Sequence, residues 1–337
     1  MTETTLAHAP APPADRGWRE RLWSLAFGSV LACALPGVAL PGVAQAAAEV
    51  RAVPVAQGVW FVQGEAALGS PANRNFISNA AFVETGDGVV VIDALGSPAL
   101  AEALLAEIDR VAKKPVRHVI VTHYHADHIY GLQAFKARGA SIVAHAAGRE
   151  YLNSDTARLR LEASRQELAP WIDAGTQLVP ADRWIDGDTV LELGGVRFDV
   201  RHVGPSHTPE DLVVFLPRER VLFAGDLVFR GRIPFVGQAN SRSWIGALDK
   251  LIALDPVVLV PGHGPLSREP VPDLALTRDY LRHLREAMGE AARNLEPFEE
   301  AYARTDWSRF EGLPLFGLAN RINAYNTYLL LEREDMK

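Results

Sequence analysis

The stretch Val119-Ile120-Val121-Thr122-His123-Tyr124-His125-Ala126-Asp127-His128 decides the reading of this chain. Three apolar β-formers end at Thr122, and four groups able to bind a metal follow within six positions. A loop just beyond a strand end is where a rigid scaffold usually carries its chemistry. Imidazoles at 123 and 125 can point the same way from an extended loop, while Asp127 and His128 turn toward a second ion. Imidazole suits zinc, and a carboxylate admits a second cation of harder character. A purely structural role is a poor account of the cluster, because so many polar groups need partners.

Three more residues stand in similar settings. His207 lies in Gly204-Pro205-Ser206-His207-Thr208, Asp226 in Phe223-Ala224-Gly225-Asp226, and His263 in Pro261-Gly262-His263-Gly264. Each adjoins an apolar run on a turn rich in Gly or Pro, where glycine lets backbone approach a metal closely.

Around these motifs the chain reads as alternating strands and helices. Val59–Val62 is a short strand. Residues 80–84 and 89–93 flank Gly86-Asp87-Gly88 and read as a hairpin. Ser97 caps a helix with Pro98 at its first position, and Leu100, Leu104, Ile108 and Val111 recur at helical spacing. A strand at 141–144 and a helical stretch at 150–170 follow. Strands at 189–193, 196–203, 212–216, 221–224 and 257–260 make a second β-rich half. The pattern implies two mixed sheets packed together with helices outside. Amphipathic helices around Leu281, Leu284 and Met288, and over 322–331, form a distinct C-terminal tail.

At 337 residues the chain can bury a sizeable core. With net charge −7 and no long Lys/Arg run, a nucleic-acid partner is disfavoured and a small-molecule substrate is expected. The N-terminus reads as an export signal. Arg16, Arg19 and Arg21 precede an uncharged run from Leu22 to Ala48, and Ala44-Gln45-Ala46 is an A-x-A cleavage site. The expected organisation is therefore a signal peptide at 1–46, a catalytic domain at 47–270 and a helical extension at 271–337. Location would be periplasmic or secreted, with no stable membrane span after cleavage. A retained anchor, or a lipid on Cys33, is the alternative. Cys33 is the only cysteine, so the mature chain would offer no thiolate ligand.

Taken in order, Asp93 at a strand end, the H-x-H-x-D-H run, then His207, Asp226 and His263 resemble the metallo-β-lactamase superfamily through most of residues 55–270. The resemblance implies a four-layer αββα sandwich with metals at one edge, between the sheets. It implies that His123, His125 and His207 hold a first zinc ion, that Asp127, His128 and His263 hold a second, and that Asp226 bridges both. Asp93 would hold the histidine loop from behind. Two Zn2+ per chain are implied, with iron or manganese as alternative occupants. A bridging hydroxide would attack an ester, lactone, thioester or related electrophile, and Asp127 would take part in that chemistry.

The bridging Asp226 resembles the glyoxalase II ligand set, whereas many zinc β-lactamases use a cysteine at the second ion. The chain also resembles secreted zinc hydrolases linked to sulfur oxidation and quinoprotein systems. β-Lactam hydrolysis and a mononuclear iron persulfide dioxygenase on the same fold are the alternatives. Tyr130, Phe229, Arg230, Arg232, Phe235 and Trp244 are candidate pocket residues, with an arginine to hold an anionic substrate. The segment 64–78 is a candidate lid. His145 and His202 are expected to be scaffold or pocket wall, and His283 a surface residue.

Overall fold

A computed structural model describes residues 49–335 except Gln238. The leader reading of residues 1–46, with Cys33, lies outside the described residues.

Twelve strands among the described residues form two sheets. The first contains, in spatial order, β1 (Ala52–Ala56), β2 (Val59–Val62), β3 (Ala80–Glu84), β4 (Val89–Ile92), β5 (Val116–Ile120), β6 (Ser141–His145) and β7 (Arg183–Ile185). β1 to β4 are antiparallel neighbours, and β4 to β7 run parallel. The second contains β12 (Val258–His263), β11 (Val221–Phe229), β10 (Leu212–Leu216), β9 (Val196–His202) and β8 (Thr189–Leu193). Here β11 and β12 are parallel and the rest antiparallel.

The unbroken apolar runs follow from burial on both faces. In β4, Val90 and Ile92 face the other sheet, packing with Val214, Leu216, Phe223 and Val260, while Val89 and Val91 face outward. In β11, Val221 and Phe223 join that inter-sheet core, whereas Leu222 and Ala224 turn to the opposite side. The period of two thus splits each strand between cores.

The outer face of the first sheet is covered by α1 (Pro98–Val111), α3 (Leu132–Ala137) and α5 (Asp155–Glu167), with α4 (Gly148–Leu152) beside them. The outer face of the second is covered by α6 (Ser241–Ile252), α7 (Pro270–Arg293), α8 (Phe298–Arg304) and α9 (Phe316–Asp335). The result is the expected four-layer αββα sandwich. The C-terminal helices share one continuous core with the second sheet, in which Tyr280, Leu281, Leu284 and Met288 pack with Trp244 and Leu259. No described helix is long and apolar enough to cross a membrane.

Candidate metal centre

The histidine loop leaves β5 and closes into α2 (Ala126–Ile129), so His123 and His125 lie on extended chain while Asp127 and His128 occupy one helical turn. Asp93 fixes this turn. It follows β4 in the left-handed region, at φ 60°, which a short polar side chain tolerates better than most. Its Oδ1 accepts the Thr122 amide and its Oδ2 accepts the Thr122 hydroxyl, both at 2.8 Å. The same Oδ2 lies 2.9 Å from His128 Nδ1. With Nδ1–H given to Asp93, His128 Nε2 is left free to face the site.

The other ligands arrive from the second sheet. β11 is irregular at Gly225, whose φ of +51° re-aims Asp226. A Cβ at Gly225 would meet Thr122 at 2.9 Å, and one at Gly262 would lie 2.1 Å from Asp226 Oδ1. Only glycine admits this approach of β11, β12 and the histidine loop. His263 ends β12 with Nδ1 2.7 Å from the Ile77 carbonyl, which again leaves Nε2 for the site. His207 sits between β9 and β10, its ring at the edges of Phe229 and Trp244.

These side chains converge on Asp226. Its Oδ2 lies 3.4 Å from His207 Nε2, 3.6 Å from His123 Nε2 and 3.3 Å from His263 Nε2; its Oδ1 lies 3.2 Å from His128 Nε2. Asp127 Oδ2 is 3.3 Å from His263 Nε2 and 3.7 Å from His128 Nε2. His125 Nδ1 is 3.0 Å from His207 Nε2. Two groups result: His123, His125, His207 and Asp226, and beside them Asp127, His128 and His263.

The donor set suits divalent ions. His123 Nε2, His128 Nε2 and Asp226 Oδ1 are buried without a hydrogen-bond partner, an arrangement that is costly unless something binds there. Burial drives His123 well below its ordinary pKa and His207 down to about 3, so these imidazoles are neutral, as ligands must be. For Asp226, burial is outweighed by His263, His128 and His123, which hold the carboxyl well below its ordinary value. Asp127 is lowered likewise, with His128 and His263 overcoming burial. His128 and His263 are raised against their own burial, chiefly by Asp226.

The candidate pocket residues divide. Phe229 stacks on His263 with ring centroids 4.9 Å apart and walls the site. Trp244 is fully buried behind His207, its indole N–H given to the Leu227 carbonyl. Arg232 is buried beside His263, with Phe235 over it. Two expectations need correction. Arg230 is committed to Asp273 and the Leu266 carbonyl, so its charge is already spent on α7. Tyr130 lies in the core of the first sheet, hydrogen-bonded to Ser164, rather than lining a cleft.

The 64–78 segment is likewise anchored at its far half rather than free to close. Phe76 is buried, Asn75 donates to the Gly96 carbonyl and Ser78 reaches the Asp127 carbonyl. His145 and His202 are stacked, 3.6 Å between centroids, and His202 Nε2 closes the His207 loop onto the Pro209 carbonyl. His283 is half-buried against Trp307 and Phe310, not a free surface group.

Sequence reasoning missed Asn79, Ile77 and Glu210. Asn79 donates to the carbonyls of Pro261 and Gly264 and accepts from the Gly64 amide, tying the first sheet to the end of β12. Buried Glu210 accepts the Tyr124 amide, steadying the histidine loop from the second sheet. A lone Asn or Glu outside a motif carries no local signal, and a carbonyl carries none at all.

Comparison with known proteins agrees with this geometry. The sequence profile of the metallo-beta-lactamase superfamily matches residues 73–263. A linear primary-alkylsulfatase of Pseudomonas sp. (strain ATCC 19151) is 27% identical over 241 residues, which cover 60% of this chain and 45% of that enzyme. A metallo-beta-lactamase type 2 of Bacillus cereus is 28% identical over 192 residues, 56% of this chain and 67% of that enzyme. The chain thus spans about half the length of the first relative and two thirds of the second. Among solved structures, a metallo-beta-lactamase from Pontibacter korlensis superposes with TM-score 0.55 at 26% identity, covering 69% of this chain and 99% of that one. The sec-alkylsulfatase Pisa1 from Pseudomonas sp. superposes with TM-score 0.67 at 19% identity, covering 83% of this chain and 50% of that one, a likeness of fold.

Proposed function

The chain belongs to the metallo-beta-lactamase superfamily, and on that footing we propose that it is a two-zinc hydrolase of activated esters, lactones or thioesters. The observation that carries this reading is Asp226, whose carboxylate touches imidazoles of both ligand groups within 3.6 Å. His123, His125 and His207 would hold one ion, and Asp127, His128 and His263 the other, with Asp226 shared. Zinc ions so held supply Lewis acidity, lowering the pKa of bound water toward neutrality and polarising a carbonyl.

The chain's own residues do the rest. Asp93 and the Ile77 carbonyl take the Nδ1 protons of His128 and His263, fixing both Nε2 lone pairs toward the site. Phe229 and Trp244 exclude water from the ligand side chains, which strengthens electrostatic interactions inside. Asp127, less buried than Asp226, lies where it could take a proton from the attacking water and return it to the departing group. The absence of a cysteine from the described residues favours an oxygen and nitrogen ligand set.

Metal analysis tests the reading. Purified protein should carry about two zinc equivalents. Asp226→Ala should lose one ion more readily than the other, because three imidazoles still define the first group. A single iron per chain, with oxygen consumed on a persulfide and occupancy unchanged in Asp226→Ala, would refute it.

A further inference from the structure

Within the two-zinc reading, we propose that Glu210 and Asp211, consecutive buried acids on the approach to β10, set the geometry of the first ligand group. Asp211 fixes His207 through Thr208, and Glu210 fixes His123 and His125 through Tyr124. Both are positioning residues, acting on the ion only through those imidazoles.

The second ligand group is gripped at its rings. Asp93 holds His128 Nδ1, and the Ile77 carbonyl holds His263 Nδ1. The first group differs. His207 Nδ1 is buried with no hydrogen-bond partner among the described residues, and His125 turns its own Nδ1 toward His207 Nε2, 3.0 Å away. Phe229 and Trp244 meet the His207 ring only by packing. With no bond at its far nitrogen, this ring takes its aim from the backbone that carries it.

Three consecutive residues fix that backbone. Asp211 Oδ2 accepts the Thr208 amide at 2.8 Å, and its Oδ1 accepts the Thr208 hydroxyl at 2.6 Å, one position past His207. The Asp211 carbonyl takes the Val203 amide at 2.9 Å and closes the neck of the loop. Glu210 Oε1 accepts the Tyr124 amide at 3.2 Å, between His123 and His125. The Leu212 amide donates to the Thr122 carbonyl at 2.8 Å. Residues 210–212 therefore hold the histidine loop of one sheet and the His207 loop of the other, and with them all three imidazoles of the first group. Glu210 is 4% exposed and Asp211 2%. Their partners are amides and a hydroxyl, and among the described residues no lysine or arginine pairs with either. Burial pushes the Asp211 carboxyl up to about 8, against the Thr208 bonds that lower it. Buried acids without a cation are costly, so stability alone does not account for two in a row. What they contribute is position.

This role requires an oxygen acceptor at each residue and not a charge, so neutral isosteres separate it from an electrostatic one. Cobalt(II) titration of chelator-treated full chain reads the site through its absorption bands and needs no turnover. Glu210→Leu and Asp211→Leu should weaken the ion of the first group by roughly tenfold to a hundredfold and alter its bands, identified as those that His207→Ala abolishes. The ion held by Asp127, His128 and His263 should keep its affinity. Glu210→Gln and Asp211→Asn, which retain an acceptor for each amide, should restore the bands. Leucine variants that lower only the melting temperature, or that weaken both ions equally, overturn the proposal. Glutamine and asparagine variants that fail to restore the bands overturn it in favour of an electrostatic role. Should the leucine variants not fold, Thr208→Val removes one donor to Asp211 and should shift the same bands; unchanged bands there count against the Asp211 assignment. If no ester is hydrolysed while the bands respond as expected, the hydrolase reading fails and this one stands.

Discussion

Asp226 reaches both ligand groups because its neighbours are too small to stop it. Gly225 and Gly262 leave room that a single Cβ would fill. The ligands themselves are legible in sequence, since His, Asp and Gly occur there in an order and setting that chance rarely provides. Their orienting partners are less so: Asp93 is legible through family resemblance, whereas the Ile77 carbonyl is a backbone group brought in from a distant loop. Protonation within the cluster then gives a pH signature. In the ion-free fold His128 and His263 are raised above 6.5. Their contribution to stability is complete below the unfolded value and is lost as pH rises through the raised ones. Asp127 and Asp226 are depressed below 3.8, so their contribution is present above that value and is lost on acidification. Chelator-treated protein should therefore lose stability as pH climbs past neutrality. Ion binding runs the other way, because a ligating imidazole must shed its proton. The gap in Tm between zinc-loaded and stripped protein should widen from about pH 6 to about pH 9. Thermal melts across that range decide it, and a constant or narrowing gap would count against the assignment of His128 and His263 as ligands.

At the scale of elements, the central strands are legible because they are apolar on both faces, and α1 because Ser97 and Pro98 announce it. The edges were not. β1 contains Pro54 and is largely exposed, and β7 is three residues long, so neither shows a strand pattern. The longer miss is the segment before β3. Rich in asparagine and glycine, it reads as a mobile loop, but its asparagines are structural. Asn79 alone satisfies the Gly64 amide and the carbonyls of Pro261 and Gly264 while standing between the two sheets. Asn79→Ala would strand all three groups, two of them on the turn that carries His263. We expect a loss of about 3 kcal/mol or more in unfolding free energy, from unmade buried hydrogen bonds at roughly 1–3 kcal/mol each. Metal affinity should fall with it, since His263 loses its support. Denaturant melts of stripped and loaded protein would measure both, and a change under about 0.5 kcal/mol, the scale of a surface substitution, would show that water replaces the side chain freely.

For the whole molecule, the sandwich carries the metal-ligating side chains, and α9 braces the loop between β11 and α6 beside them through Asn323. The curated relatives show how little the fold alone decides, since the same superfamily includes enzymes named for alkyl sulfates and for β-lactams. In this chain the second ligand group has Asp127 and two imidazoles, with the shared Asp226 between the groups. A carboxylate held between two ions would fix their spacing. Nothing in that arrangement selects a four-membered lactam. Beside the ligand groups stand the ring of Phe229 and the partly exposed Phe235, with Arg232 against both. The expected outcome is that kcat/KM for an aryl ester or a lactone exceeds that for a penicillin or a cephalosporin, with all four measured on one zinc-loaded batch. A linear alkyl sulfate belongs in the same series because of the alkylsulfatase relative, and it should fall below the aryl ester, since attack at carbon of a carbonyl is the easier displacement. Lactams ahead by tenfold, about 1.4 kcal/mol of transition-state preference, would reverse the substrate assignment while leaving the metal centre as described.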